Sequence, residues 1–362
     1  MLPERQSACI CAWDAQADPM TKETSVQEDQ TRAAERRAKG EFVRGVSGFR
    51  HAIGDSAFPP EPGRYHLFVA LNCPWCHRVT LARAVLGLES SISMDVAFPN
   101  RTGEDDVVGP NLWEFDPCRV ATLTGDTLPE CTVETGTGLG LRLAKEIYQR
   151  EGSEEQSVPI LYDKVSGRIV NNESAEILRM LDRHAAALDS TIADDARVRL
   201  VPEDAEMVAT VDALNAQIYV AINNGAYKAG FSSDQNVYAQ AFEAYFAALE
   251  ALEVLLSDGR PFLAGDAFTE ADLRLFPTLY RHDPVYYVRM KLNGARILEY
   301  PHLWRWLCRV YAMDGVAAAG SLVHCRQGYF GRSWNGVVPL GPVKPMAYPE
   351  AYRHPELADQ GA

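Results

Sequence analysis

The segment Asn72-Cys-Pro-Trp-Cys-His-Arg78 is the part of the chain that says most about chemistry. Cys73 and Cys76 have Cys-x-x-Cys spacing directly after a short apolar run, and Pro74 suits the first position of a helix. A cysteine at a helix N-terminus favours the thiolate, because unpaired N–H groups and the helix dipole lower its pKa. Since the thiolate is the form that attacks sulfur, we predict that Cys73 is a nucleophile in thiol exchange.

This segment has two other interpretations. Cys73 and Cys76 could pack in the core as small apolar side chains, and together with His77 they offer three potential zinc ligands. A structural zinc site needs four ligands, usually with a second closely spaced pair, and the remaining cysteines do not provide one. We therefore expect no metal. His77 and Arg78 are either solvated helix positions, the interpretation that we favour for His77, or positive charges near the thiolate.

Two residue pairs further along the chain suggest a ligand. A proline such as Pro159, placed just before a strand and opposite a cysteine turn, is often cis, and the backbone of Val158 could then pair with an extended peptide. Glu173 and Ser174 stand at a predicted helix start, where N–H groups and a hydroxyl suit a carboxylate and Glu173 suits an ammonium. A plain strand start and a plain N-cap are the alternatives. Taken together with Cys73, the pairs predict a small charged peptide thiol, glutathione, as ligand.

The elements that must position Cys73 form a βαβ unit. The apolar run at 65–71 predicts a strand, the helical spacing of apolar residues at 75–86 predicts a helix, and 92–98 predicts a second strand. The first strand and the helix therefore meet at Cys73.

In the part of the chain that follows the βαβ unit, the predicted helices and strands are less regularly arranged. Residues 99–137 contain many glycines and prolines and predict an irregular insertion. A helix at about 139–150 follows, then a hairpin over 157–170 and a helix that begins near Ser174.

From about residue 205 the strand patterns cease and amphipathic helices follow. These are predicted at 206–222, 235–257, 269–280 and 301–311. Thr269 and Asp272 predict a capping box at the start of the third of them. The predicted division of the chain is an N-terminal tail at 1–41, an α/β domain at 42–190, an all-helical domain at 191–330 and an extended C-terminal tail at 331–362.

Length and charge limit the class of protein. With 362 residues the chain is long enough for two domains, each with its own core. Its net charge of −14 disfavours nucleic acid and anionic membranes as partners. No apolar stretch reaches the length of a membrane span, and charged residues interrupt the N-terminus where a signal peptide would need an apolar run. We expect a cytoplasmic protein.

With these motifs in view, the chain resembles the glutathione transferases over about 42–342, and within them the Xi class, the glutathionyl-hydroquinone reductases. The resemblance implies a fold class of α/β plus all-α, with a thioredoxin-like N-terminal domain followed by an all-helical glutathione-transferase C-terminal domain. The motifs that carry it are Tyr65-His-Leu-Phe, Cys73-Pro-Trp-x-His-Arg78, Val158-Pro159, Ile169-Val-Asn-Asn-Glu-Ser174, Asn223-Asn-Gly-Ala-Tyr-Lys-Ala-Gly230, Leu263-Ala-Gly-Asp, Thr269-Glu-Ala-Asp-Leu-Arg-Leu-Phe276, Arg281-His-Asp-Pro-Val-Tyr286 and Tyr300-Pro-His-Leu-Trp304.

The resemblance also implies an activity. Cys73 would take glutathione off a glutathionyl-hydroquinone, and a second glutathione would release the enzyme as oxidised glutathione. Glutathione would then be a co-substrate, and a homodimer is expected. The residues implied to bind glutathione are Trp113, Val158, Pro159, Glu173 and Ser174.

An aromatic acceptor pocket is implied by the same resemblance. Tyr227, Tyr286 and Tyr329 would line it, and the hydroxyls of Tyr227 and Tyr286 would act near the oxygens of the quinol. An aromatic substrate does require an apolar pocket with a few oriented donors.

The chain departs from the family at two places. Cys76 stands where Ala or Ser is common, and the segment 116–137 has its own Cys118 and Cys131 and a Thr/Gly-rich composition. We expect Cys76 to be more buried than Cys73, with glutathione resolving the intermediate. The alternatives are a dithiol, glutaredoxin-like oxidoreductase using Cys73 and Cys76, and a non-catalytic transferase-fold binding or scaffold protein.

Overall fold

A computed structural model describes residues 34, 36–103, 111–124, 141–189, 191, 197–331 and 337–339. In its first half, strand β1 (Tyr65–Val69), helix α1 (Pro74–Val85) and strand β2 (Ser93–Val96) form a βαβ unit with parallel strands. This confirms the predicted unit, with strands shorter than the apolar runs that predict them. All five residues of β1 are buried, which explains why the run shows no alternation of polar and apolar residues.

Two antiparallel strands complete the sheet. Strands β3 (Ile160–Asp163) and β4 (Arg168–Asn171) form the predicted hairpin, and β3 pairs antiparallel with β1. The sheet order is β2-β1-β3-β4, so β1 and β3 are the central strands. The end of β1 and the start of β3 therefore lie side by side, which brings the loop at Cys73 next to the loop at Val158.

The helices of the first half cover this sheet. Helix α2 (Pro117–Thr124) lies within the predicted insertion, and helix α3 (Ala144–Arg150) begins later than the predicted 139–150 because Leu143 is extended and acts as its N-cap. Helix α4 (Ser174–Leu188) begins where predicted and packs on α1. Most of the Thr/Gly-rich segment 116–137, including Cys131, lies outside the described residues.

Residues 197–331 are helical, as predicted. The helices are α5 (Ala205–Gln217), α6 (Asn224–Phe231), α7 (Gln235–Leu256), α8 (Glu270–Arg281), α9 (Tyr287–Arg289), α10 (Pro301–Tyr311) and α11 (Leu322–Phe330), with a 3₁₀ turn at Ile297–Glu299. Two π-helical turns, Ile218–Asn223 and His282–Tyr286, join α5 to α6 and α8 to α9. The single helix predicted at 206–222 is therefore α5 followed by a π turn, a break that apolar periodicity does not reveal.

The start of α8 confirms the predicted capping box. The carboxylate of Asp272 accepts hydrogen bonds from the backbone N–H of Thr269 at 3.0 Å and from its hydroxyl at 3.1 Å. Its other oxygen accepts from the N–H of Leu263 at 2.9 Å and from the indole of Trp306 at 2.8 Å. One buried carboxylate thus joins the start of α8 to the preceding loop and to α10.

The predicted domain boundaries stay predictions. Most of the predicted tails at 1–41 and 331–362 lies outside the described residues. Where the chain is described before residue 42, Gly40 accepts a hydrogen bond from Ser233 and Glu41 forms an ion pair with Lys228 at 3.1 Å. No described helix is long and apolar enough to cross a membrane.

Candidate active site

Cys73 is the N-cap of α1, with extended backbone and Pro74 following it at the first helical position. Its thiol lies 3.9 Å from the carbonyl oxygen of Val158, in the loop before β3. The Val158–Pro159 peptide bond is cis. The nucleophile predicted from the sequence therefore lies at a helix start, against the loop predicted to bind peptide backbone.

The surroundings of Cys73 favour its thiolate. A hydrogen bond from the Cys76 thiol is the largest influence and lowers the pKa of Cys73; burial opposes it. The backbone N–H groups of Cys76 and Trp75 and the charge of Arg281 lower this pKa further. Burial and the adjacent Cys73 sulfur raise the pKa of Cys76 well above its ordinary value. Cys76 is fully buried and Cys73 is partly exposed, as predicted.

Arg281, at the end of α8, holds the loop that precedes Cys73. Its buried guanidinium donates to the carbonyl oxygens of Leu71 at 2.8 Å and Asn72 at 3.2 Å. It also donates to the carbonyl of Pro277 at 2.8 Å. A side chain from the helical half thereby fixes the turn between β1 and α1.

The prediction that His77 and Arg78 are solvated is wrong, because helices of the second half cover this face of α1. His77 is 1% exposed, and its Nδ1 accepts from Arg281 at 2.8 Å. Burial lowers the pKa of His77 well below its usual value, so the ring is neutral. Arg78 is 2% exposed and donates to Asn223 in the π turn after α5. A Cβ at Gly320 would lie 2.6 Å from the His77 ring, so that position requires glycine.

A cavity of about 670 Å³ opens beside Cys73. Aromatic side chains and three arginines form much of its lining. The lining residues are Phe42, Arg44, Asn72, Cys73, Trp75, Pro99, Arg101, Asn111, Trp113, Ser157, Val158, Tyr227, Phe231, Arg289, Gly328 and Tyr329.

Three tyrosines meet at the side of the cavity formed by the helical half. The hydroxyl of Tyr329 lies 2.6 Å from that of Tyr227 and 3.2 Å from that of Tyr286. Burial raises the pKa of Tyr227 and of Tyr329 well above the usual value, and that of Tyr286 to about 12. All three phenols therefore stay protonated at neutral pH. Tyr286 is wholly buried and is not among the residues that line the cavity, so its place in the acceptor pocket stays a prediction.

On the opposite side, Trp113 and Val158 line the cavity, as the resemblance implied for a glutathione site. Glu173 caps α4 by accepting from the N–H of Ala175 at 3.3 Å, and Ser174 is fully buried. Neither of these two residues lines the cavity, so their assigned contact with glutathione stays a prediction.

Comparisons with known proteins decide the family. A model of the glutathione S-transferase N-terminal domain matches residues 72–184, and one of the C-terminal domain matches 235–309. A glutathionyl-hydroquinone reductase of Sphingobium chlorophenolicum is 37% identical over 320 residues, with 85% of this chain and 91% of that protein covered. The chain belongs to the glutathione transferases.

Solved structures agree with this membership. The glutathione S-transferase Xi from Phanerochaete chrysosporium matches with a TM-score of 0.72 and 34% identity, over 83% of this chain and 98% of that one. A Xi glutathione transferase from Saccharomyces cerevisiae, solved in complex with glutathione, matches with a TM-score of 0.72 and 31% identity, over 84% and 98% of the two chains. These matches show that the chain is of the Xi class, and they confirm the predicted fold class.

Sequence reasoning missed several residues around the cavity of this Xi-class chain. Phe42 packs on Tyr227 with ring centroids 5.6 Å apart, although the sequence suggests only a domain start at this point. Arg44 lies over the Trp75 ring at 4.0 Å and reaches Glu173 at 3.5 Å. The only local signal for them is the succession of aromatic and basic residues within 42–50, well ahead of the first strand at Tyr65.

Cys76 offers a test of how this Xi-class transferase activates its nucleophile. Because the Cys76 thiol stabilises the Cys73 thiolate, Cys76→Ala should raise the pKa of Cys73. Thiolate reactivity is lost as pH falls through that pKa, so the loss should occur at higher pH in the variant, with alkylation by iodoacetamide about tenfold slower at pH 6.

The matched control is Cys308→Ala, which removes a buried thiol on α10. Its alkylation profile between pH 5 and 10 should coincide with that of the parent. An unchanged midpoint in Cys76→Ala would contradict the stabilising role of the Cys76 thiol.

Proposed function

We propose that this chain is a glutathione-dependent reductase that removes glutathione from glutathionyl-hydroquinones. The carrying observation is the position of Cys73, a low-pKa thiol at the edge of one cavity that has Trp113 and Val158 on one side and Tyr227 and Tyr329 on the other. A substrate that joins a tripeptide to an aromatic ring through sulfur fits such a site, with its sulfur at Cys73.

The first step forms a mixed disulfide. The Cys73 thiolate attacks the glutathione sulfur, the new S–S bond forms and the bond from sulfur to the ring carbon breaks. The electron pair of the broken bond stays on the ring carbon, which takes up a proton. The hydroquinone leaves, and the glutathione sulfur is now oxidised to the disulfide level.

The second step regenerates the enzyme. The thiolate of another glutathione attacks the glutathione sulfur of the mixed disulfide, so that oxidised glutathione leaves and the Cys73 thiolate returns. Across both steps one glutathionyl-hydroquinone and one glutathione yield one hydroquinone and one oxidised glutathione.

The remaining residues orient the substrate. Val158 and the cis Pro159 would present the Val158 backbone to the tripeptide, Trp113 would cover it, and Glu173 and Ser174 would receive its γ-glutamyl end at the start of α4. The tyrosine hydroxyls, kept protonated by burial, would donate to the oxygens of the quinol.

The dithiol alternative fits the site less well. A resolving thiol must become a thiolate to attack, whereas Cys76 is fully buried and its raised pKa keeps it protonated. A scaffold would need neither a lowered pKa at Cys73 nor an open cavity beside it.

The direct experiment incubates the protein with glutathionyl-menadiol and glutathione and follows menadiol and oxidised glutathione. Both products should form in equal amounts, and mass spectrometry during turnover should find glutathione on Cys73. A predominant internal Cys73–Cys76 disulfide forming at the catalytic rate would overturn the proposal in favour of the dithiol route.

Removal of the three tyrosine hydroxyls should slow the reaction to different extents. Tyr227→Phe and Tyr329→Phe should each slow hydroquinone release about tenfold or more, because each removes a donor that faces the substrate. Tyr286→Phe should have a smaller effect, since its buried hydroxyl lies behind those of Tyr329 and Tyr227 and does not line the cavity. Stopped-flow measurement of hydroquinone release gives these rates.

Tyr238→Phe is the control for this series, because the Tyr238 hydroxyl binds the carbonyl of Lys291 outside the cavity. Its rate should equal that of the parent. Parent rates in both Tyr227→Phe and Tyr329→Phe would remove the tyrosines from the mechanism.

We also propose, from family membership alone, a cytoplasmic homodimer. Light scattering at micromolar concentration should give the mass of two chains, and the mass of one chain would refute the dimer.

A further inference from the structure

The second glutathione of the proposed cycle needs a binding place of its own. Displacement at sulfur is in line, so in the first step the aromatic ring leaves from the side of the glutathione sulfur opposite Cys73. In the second step Cys73 is the leaving group at that same sulfur. The attacking thiolate must therefore arrive where the ring had been, in the part of the cavity lined by Phe42, Tyr227, Phe231 and Tyr329.

This part of the cavity is aromatic, whereas glutathione carries two carboxylates. Its carboxylates need cationic partners if it is to sit there in a defined orientation. The lining includes three arginines and no aspartate or glutamate among the described residues. The site is thus locally cationic in a chain whose net charge is −14.

The three arginines are not equivalent. Arg44 is engaged by Trp75 and Glu173, and Arg101 lies over Trp113 at 4.6 Å, on the side of the first glutathione. Arg289 lies next to Phe231 and Tyr329, in the part of the cavity where the attacking thiolate must arrive.

Arg289 is an exposed residue, and the Nε atom of its guanidinium is the one that is hydrogen-bonded to a described residue. Its Nε donates to the carbonyl oxygen of Tyr329 at 3.1 Å, and its guanidinium lies 5.9 Å from the ring centroid of Phe231. Its two terminal nitrogens make no hydrogen bond or ion pair with any described residue. A guanidinium oriented in this way suits bidentate binding of a carboxylate.

We propose that Arg289 is the carboxylate-binding residue of a second glutathione subsite, occupied by the glutathione that resolves the mixed disulfide at Cys73. The inference rests on the proposed function. It assigns Arg289 to the second step only, because the first step has the neutral hydroquinone ring on that side of the sulfur.

The test isolates the second step. Cys73 is loaded with glutathione from oxidised glutathione at slightly acidic pH, where a low-pKa thiol exchanges in preference to others, and peptide mapping confirms the position. The loaded enzyme is then mixed with glutathione or with 2-mercaptoethanol, a thiol without a carboxylate. Quenched-flow mass spectrometry follows the return of free Cys73.

Arg289→Gln should lower the second-order rate constant with glutathione about tenfold or more, and leave that with 2-mercaptoethanol within about twofold. The control Arg183→Gln removes an exposed charge on α4 and should leave both rate constants unchanged. Equal slowing with both thiols would reduce Arg289 to a structural role, and no slowing with glutathione would remove the subsite; either result overturns the proposal.

Loading from oxidised glutathione keeps this test separate from the proposed function. Hydroquinone release from glutathionyl-menadiol without added glutathione is measured in parallel and should be the same in Arg289→Gln and the parent. A parent that resolves its mixed disulfide yet releases no hydroquinone would refute the reductase function and leave the Arg289 result intact. Slowed hydroquinone release in Arg289→Gln would contradict its assignment to the second step.

Discussion

Replacement of Cys73 by alanine should abolish deglutathionylation of glutathionyl-menadiol while the fold survives. Turnover should fall by at least about a thousandfold, since the covalent route then has no nucleophile. Serine should be nearly as damaging, because an unactivated hydroxyl does not exchange with sulfur at neutral pH. Product formation by chromatography and far-UV circular dichroism check activity and fold on the same samples.

Cys118→Ala is the matched control, because Cys118 is an exposed free thiol on α2 and does not line the cavity. It should keep parental turnover. Appreciable activity in Cys73→Ala, beyond that of the uncatalysed reaction, would refute the mixed-disulfide mechanism.

Replacement of Arg281 by methionine should give the largest loss of stability. The buried carbonyls of Leu71, Asn72 and Pro277 would each lose a charged donor, and the Leu71 carbonyl would keep only the weak thiol donor of Cys325 at 3.6 Å. Because a buried acceptor that loses its partner costs about 1–3 kcal/mol, a total of about 3 kcal/mol is expected. The loop before Cys73 would also lose its anchor, so turnover should fall in protein that is still folded. Urea unfolding followed by circular dichroism measures the first effect.

Two further variants separate the effect of the Arg281 hydrogen bonds from the effect of removing an arginine charge. Arg281→Lys keeps the charge but has fewer donors in a different geometry, so its stability should lie between those of the parent and Arg281→Met. Arg296→Met removes an exposed arginine whose partner is Glu299, and it should cost less than about 1 kcal/mol. A urea midpoint for Arg281→Met equal to that for Arg296→Met would show that the hydrogen bonds of Arg281 to these carbonyls contribute nothing to the free energy of unfolding.

The sequence alone determined the features that depend on neighbours along the chain. The helix start at Cys73, the hairpin after Val158, the N-cap at Glu173 and the capping box of Thr269 all follow from residue types a few positions apart, because turns, caps and periodicity are local. The motifs around them were also sufficient to identify the family.

The tertiary structure decided which faces are covered and which distant residues meet. His77 and Arg78 look solvated by local pattern, yet the packing of α8 on α1 buries them. Arg281 binds a carbonyl 210 residues earlier in the chain, at Leu71. Tyr286 lies behind Tyr329 rather than on the cavity wall.

The physical reason is that such contacts depend on how the helical half docks on the sheet. Periodicity along one helix indicates that it has a buried face, but not which residue of another element fills the space opposite. Arg44 and Arg289 illustrate this limit. Each is an ordinary basic residue in its local sequence, and each acquires its position beside Cys73 only when segments far apart in the chain enclose one cavity.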